Sequence, residues 1–96
     1  ELDFDRLERI HRLVAVPLVL HGGSGTPDEA LRRAIALGIA KVNVASELVR
    51  TFREALREQW ANGQNLWAPE ALAVAAQAII PVVERWIRRL GAEGRA

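Results

Sequence analysis

The chain has 96 residues, thirteen Lys plus Arg against twelve Asp plus Glu for a formal charge of +1, half of it apolar, and neither Cys nor Met. That balance describes one small globular unit at most, and excludes a disordered tail, a disulfide framework and thiolate chemistry. It also speaks against a nucleic-acid or anionic-membrane binder, because the Arg residues sit among carboxylates, and no apolar run reaches the ~18 residues of a membrane span. Glu1-Leu2-Asp3 is acidic where a secretory leader would be basic, so a cytoplasmic location is expected.

Leu2 to Val14 reads as an amphipathic helix, with Asp3 able to cap it and Phe4, Leu7, Ile10 and Val14 at helical spacing. His11 falls within it, among Arg residues. Val16 to Leu20 is a short β-rich run with Pro17 at its entrance, the pattern of a strand buried on both faces in a parallel sheet. His21 stands at its far end. Gly22-Gly23-Ser24-Gly25 is too glycine-rich to continue the strand, and in Thr26-Pro27-Asp28-Glu29 the Thr supplies a cap, Pro the first helical position and Glu the residue three beyond the cap. The helix that follows carries Ala30, Leu31, Ala34, Ile35 and Leu37 on its apolar face and stops at Gly38. Ile39 to Val44 is a second β run, and Ser46 can cap a helix whose stripe is Leu48, Val49, Phe52, Ala55, Leu56 and Trp60. Ala61 to Ala68 reads as a loop around Asn62-Gly63, with Leu66 and Trp67 packed on the body. Pro69 opens a last helical stretch with Leu72, Ala75, Ala76, Ile79, Val83, Trp86, Ile87 and Leu90 as its apolar positions. Pro81 lies inside it, which predicts a kink or two helices meeting near Ile80.

Repeated β-α units imply a parallel sheet with right-handed crossovers. Two strands leave both sheet edges open and the apolar faces only partly covered. The expected fold is therefore α/β, the C-terminal portion of a (β/α)₈ TIM barrel: the last two β-α units plus terminal helices. Residues 1–96 would form part of one barrel domain and be incomplete on their own, since a barrel takes about 250 residues.

Chemistry is concentrated at two strand ends. His21 precedes a glycine loop whose N–H groups are free of Cβ interference, Ser24 adds a hydroxyl, and the helix near Thr26 turns its positive end to the same place, so phosphate is the natural ligand. A tight turn beside a core histidine is the plainer alternative. Asn43-Val44-Ala45-Ser46 follows one β-α unit later, again where strand passes into helix; Ser46 could join Gly23 and Ser24 on one phosphate while Asn43 bonds a hydroxyl or carbonyl. Ser46 could equally be only a helix cap and Asn43 only a turn residue.

Pro17-Leu18-Val19-Leu20-His21-Gly22-Gly23-Ser24-Gly25 with Pro27-Asp28, Gly38-Ile39 with Lys41-Val42-Asn43-Val44-Ala45-Ser46-Glu47-Leu48, and the Gly91-to-Ala96 ending resemble the class II, zinc-dependent aldolases of the fructose-bisphosphate and tagatose-bisphosphate type. The resemblance covers nearly the whole chain, and departs at Ser46, where the family more often has Thr, and along Asn62 to Pro69. It implies that His21 is one of three histidines holding Zn²⁺, that Gly22, Gly23 and Ser24 bind the phosphate of dihydroxyacetone phosphate, and that Asn43, Val44, Ala45 and Ser46 complete that site. It further implies a sugar-phosphate substrate and a homo-oligomer, dimer or tetramer. The family's other two zinc histidines and its acid/base aspartate belong to earlier strands with no counterpart here. His11, on a helix outside any catalytic face, reads as a surface or packing residue. No acid/base residue is therefore expected in this segment, and the 96 residues alone are expected to be inactive.

Two rivals remain. His21-Gly22-Gly23 is also similar to the oxyanion loop of α/β-hydrolases, but no nucleophile elbow is present: Gly-x-Ser-x-Gly around Ser24 would need glycine where Thr26 stands. A non-catalytic phosphate-binding half-barrel or assembly subunit would keep the loops and lack the metal.

Overall fold

A computed structural model describes residues 2–64 and 67–95, with the order α1 (Phe4–Leu13), β1 (Leu18–Leu20), a 3₁₀ turn (Gly23–Gly25), α2 (Asp28–Ala36), β2 (Ile39–Val42), α3 (Ser46–Ala61) and α4 (Ala68–Arg89). β1 and β2 pair in parallel, Leu18 opposite Ile39, Val19 opposite Lys41 and Leu20 opposite Val42, with an irregularity between Leu18 and Val19. α2 is the crossover between them, as the βαβ reading requires. Most of the chain is nevertheless helical, and the α/β character rests on this one short pair.

Side chains alternate across the pair. Leu20, Val42 and Val44 turn toward a core of Leu31, Val82 and Trp86, joined by Ile35, Leu48 and Leu90. Among the described residues the opposite face has no second layer, and Val19 on it is 42% exposed. The apolar faces are thus only partly covered within this chain, as expected of two strands, because its helices lie on one side. The radius of gyration, 17.4 Å, exceeds the roughly 12–13 Å of a compact domain of this length. α1 contributes no buried residue and is held at its ends: Asp3 caps it through the Arg6 N–H at 2.9 Å, and Arg33 of α2 lies over the Phe4 ring, 4.2 Å from its centroid. Its exposed His11 is the expected packing residue, its ring against Gly38, where φ is +104° and a Cβ would strike the imidazole.

Several local readings need correction. α2 begins one residue later than the Thr26 cap implies: the Pro27 carbonyl accepts the first helical bond, from Leu31 N–H at 2.9 Å, while Thr26 N–H is spent on Gly23. Ser46 likewise does not cap α3; the Ala45 carbonyl accepts from Val49 N–H at 3.0 Å, and Ser46 is the first helical residue. Trp67 is 68% exposed instead of packed, and Leu66 lies outside the described residues. α4 runs through Pro81 as one 22-residue helix, not two; Pro81 is exposed, so its missing bond falls on the solvent side while Val82 and Trp86 anchor the helix beyond it. The buried face of α4 is Ala71, Ala75, Val82 and Trp86: Ala75 and Trp86 fall on the expected stripe, while Ala71 and Val82 are buried in place of their neighbours Leu72 and Val83, which are exposed together with Ile87. Small alanines win there because they let α3 approach: the buried Gln59 side chain reaches across to donate to the Ala71 carbonyl at 3.2 Å. On α3, Val49 and Trp60 are exposed for the same reason, lying off the side that meets α4.

Candidate functional site at the strand ends

Both strands end at the same edge. The ladder continues one step past β2, Asn43 N–H donating to the Leu20 carbonyl at 2.8 Å, which sets Asn43 beside His21. The Asn43 amide nitrogen stands 3.3 Å from His21 Nε2 and 3.4 Å from Nδ1, near-equidistant and so committed to neither. His21 is exposed, on the sheet side away from the helices together with Val19, Lys41 and Asn43. These two predicted site residues, 22 positions apart, are thus brought together by register alone.

The loop after His21 has the backbone its glycines foretell. Gly22 adopts φ +70°, a region side chains disfavour, and redirects the chain into the 3₁₀ turn. Gly23 is buried, and a Cβ there would lie 2.8 Å from Val42 Cγ1 and in ordinary contact, 3.5 Å, with the Trp86 ring, so a larger residue fits only if the Val42 side chain shifts. An open cavity of about 310 Å³ borders His21, Gly22, Gly25 and Thr26, with Leu2 and Phe4 on its far wall. Ser24 is half-buried, and among the described residues neither its hydroxyl nor that of Ser46 has a hydrogen-bond partner.

The second loop is arranged differently from the first. Val44 packs toward the core, so only its backbone is available to a ligand, and Ala45 is the exposed entry to α3. Ser46 borders a separate hollow with Val49, Arg50 and Arg53, outside the cavity that His21 lines. What links the loops is Trp86 of α4. Its ring lies under Gly23, and its indole N–H donates to Glu47 Oε2 at 2.8 Å in the first turn of α3. Arg85 pairs with the other Glu47 oxygen. The indole bond first, then the charges of Arg85 and Arg50, hold the Glu47 carboxyl below its ordinary range despite partial desolvation. Arg89 stacks over Trp86 at 4.1 Å and binds the start of α2 twice, to Asp28 Oδ1 at 2.6 Å and the Thr26 carbonyl at 2.9 Å. Sequence reading noticed Trp86 only as an apolar position and Glu47 only inside a motif. A pairing across 39 residues has no local signature.

For a metal, His21 offers one accessible imidazole, a suitable zinc ligand. Among the described residues no group of three His, Cys, Asp or Glu side chains could hold an ion. The residues present thus fit one position of a site that needs three protein ligands. Nor, among the described residues, is any helix long and apolar enough to cross a membrane.

Parallel strands ending in a histidine, a glycine turn and an asparagine bring three candidate site elements to the carboxyl edge of an α/β sheet, the edge at which such sheets bind their ligands. The family model for class-II fructose-bisphosphate aldolase matches residues 1–95, and the chain belongs to that family. It is 40% identical to a sulfofructosephosphate aldolase from Alkalicoccus urumqiensis and 39% identical to a fructose-bisphosphate aldolase from Geobacillus stearothermophilus, in each case along its whole length and over 34% of the relative. The crystal structure of the YdjI aldolase from Escherichia coli K12 superposes with a TM-score of 0.86 at 33% identity, covering all of this chain and 36% of that one. A fructose-bisphosphate aldolase from Campylobacter jejuni shares the fold, with a TM-score of 0.79 at 19% identity over 95% of this chain and 35% of that one. The chain therefore spans about a third of the length of these relatives.

Proposed function

We propose that these residues are the C-terminal portion of a (β/α)₈-barrel class II aldolase that reversibly cleaves a ketose 1,6-bisphosphate, fructose or tagatose, to dihydroxyacetone phosphate and glyceraldehyde 3-phosphate. The observation that carries the reading is the meeting of His21 and Asn43, 3.3 Å apart at adjacent strand ends, beside a glycine turn that only glycine can form. A ketose phosphate at this edge would place its phosphate on the N–H groups of Gly22, Gly23 and Ser24, with the unengaged Ser24 hydroxyl as a further donor. Asn43 to Ser46 would close the site from the neighbouring loop, the amide of Asn43 orienting a substrate oxygen. Phosphate held this way orients the reacting carbons through binding energy made away from them.

His21 would contribute one of three imidazoles to Zn²⁺, which when bound polarises the ketose carbonyl and stabilises the charge that develops as the carbon–carbon bond breaks. The other ligands and the acid/base residue belong, on this reading, to the part of the relatives that this chain does not span. The same reading makes the enzyme a cytoplasmic homo-oligomer, dimer or tetramer, with the exposed Leu72, Val83 and Ile87 of α4 available for packing. The substrate range extends to other phosphorylated ketoses, since one relative is named for a sulfofructose phosphate.

The test is made on the full-length protein. Zinc content and cleavage of fructose 1,6-bisphosphate and tagatose 1,6-bisphosphate are measured with and without His21→Ala. Stoichiometric zinc and cleavage, both lost in the variant by more than the ~100-fold that outer partners of a metal ligand are worth, support the reading. Phosphate binding without zinc or cleavage would favour a non-catalytic phosphate-binding half-barrel or assembly subunit instead.

A further inference from the structure

We infer that the last turns of α4 act as a clamp on the substrate phosphate, with Trp86 and Glu47 as positioning residues that set the two phosphate-binding loops against each other. This rests on the assignment of those loops to phosphate. Four contacts carry it. The Trp86 ring supports the buried Gly23, in the turn whose N–H groups the proposed function assigns to the phosphate. Its indole N–H holds Glu47 at 2.8 Å, one residue beyond Ser46. Arg85 engages the same carboxylate, and Arg89 fastens Asp28 in the first turn of α2.

Two physical consequences follow. A hydrogen-bond cradle for a phosphate works through the direction of its N–H groups, so the element beneath the cradle governs affinity without touching the ligand. A carboxylate in the first turn of a helix also competes with any anion for the positive helix end. Both helices that flank this site begin with such a carboxylate, Glu47 and Asp28, and α4 brings an arginine to each. Engaged in this way, the two negative charges are held in place and partly neutralised where a phosphate dianion must approach. The first loop and the second are then coupled through one indole, whose two ends they share.

The experiment uses the full-length enzyme with inorganic phosphate and dihydroxyacetone phosphate as binding probes and fructose 1,6-bisphosphate as substrate. If the unsubstituted enzyme neither binds the probes nor cleaves the substrate, the phosphate assignment falls and this inference with it. If it does, Trp86→Phe, which removes the N–H together with the outer ring edge that lies under Gly23, should raise KM and the phosphate dissociation constant more than about tenfold, the scale of one hydrogen bond to a charged group. kcat at saturation should stay within about twofold. Glu47→Ala, which loses the same bond but also removes a negative charge from the helix start, should raise both by less, and the double variant should be no weaker than the worse single one, because both lose the indole–carboxylate bond. Glu47→Gln, which keeps an oxygen acceptor, should recover most of the affinity. Loss of kcat and thermal stability at constant KM would overturn the inference in favour of a packing role, as would independent, multiplying effects of the two substitutions. Should Trp86→Phe fail to fold, the contrast between Glu47→Ala and Glu47→Gln decides the matter.

Discussion

The two faces of the β1–β2 pair are built on opposite terms. On one side, Leu20, Val42 and Val44 meet Leu31, Val82 and Trp86 and are anchored by helices on their own chain. On the other, Val19, Lys41, His21 and Asn43 share a face without a second layer among the described residues, and His21 and Asn43 meet there through a polar contact. The packed face holds the backbone; the open face presents the chemistry. The difference teaches that the position of the site residues is decided from behind, by what α4 does to the loops, while their reactivity depends on what covers them in front.

Substitutions on the full-length protein sharpen that contrast. Trp86→Ala should have the largest effect on stability, about 3–5 kcal/mol in chemical denaturation, because it removes a ring that is 4% exposed and opens a cavity under Gly23. Gly23→Ala should follow at roughly 1–3 kcal/mol, since its methyl group would stand 2.8 Å from Val42 Cγ1 and force that side chain to move. A thermal midpoint unchanged by Gly23→Ala would show that the turn has room to shift and break the assignment of it to the packed side.

Glu47 gives a smaller, pH-dependent effect. Its pKa is depressed in the folded chain, so its contribution is complete above the ordinary Glu value of about 4.3 and is lost as pH falls through the lower folded value. Glu47→Gln should therefore flatten the acid limb of the stability curve below about pH 4.5 and leave the slope near neutrality unchanged. An identical acid limb in both proteins would deny the carboxylate its bonds to Trp86 and Arg85. Asn43→Ala marks the other extreme: a residue on the open face should cost under about 0.5 kcal/mol of stability while weakening substrate binding. A large loss of stability there would show that the open face carries load after all.

Legibility followed the same division. The Gly22–Gly25 turn, the strands around Val19 and Lys41, and the site candidates His21 and Asn43 could all be named in advance, because glycine backbone freedom and β-branched runs are local properties. The cap positions slipped by one at Thr26 and Ser46, since the carbonyls of Pro27 and Ala45 accepted the first helical bonds instead. The stripe expected on α4 holds at Ala75 and Trp86 but lies one position late at Leu72 and Val83, because large apolar residues draw attention, whereas close approach to α3 selected Ala71.

The sequence by itself determined the order of elements, the parallel β-α repetition, the glycine turn after His21 and the family resemblance, all of which depend on neighbours a few residues apart. Tertiary structure alone decided that His21 and Asn43 meet, that Trp86 lies under Gly23 while bonding Glu47, and that Arg85 and Arg89 each take a carboxylate at a helix start. The physical reason is that strand register and helix docking are set by the fit of distant surfaces, which no periodicity along the chain encodes.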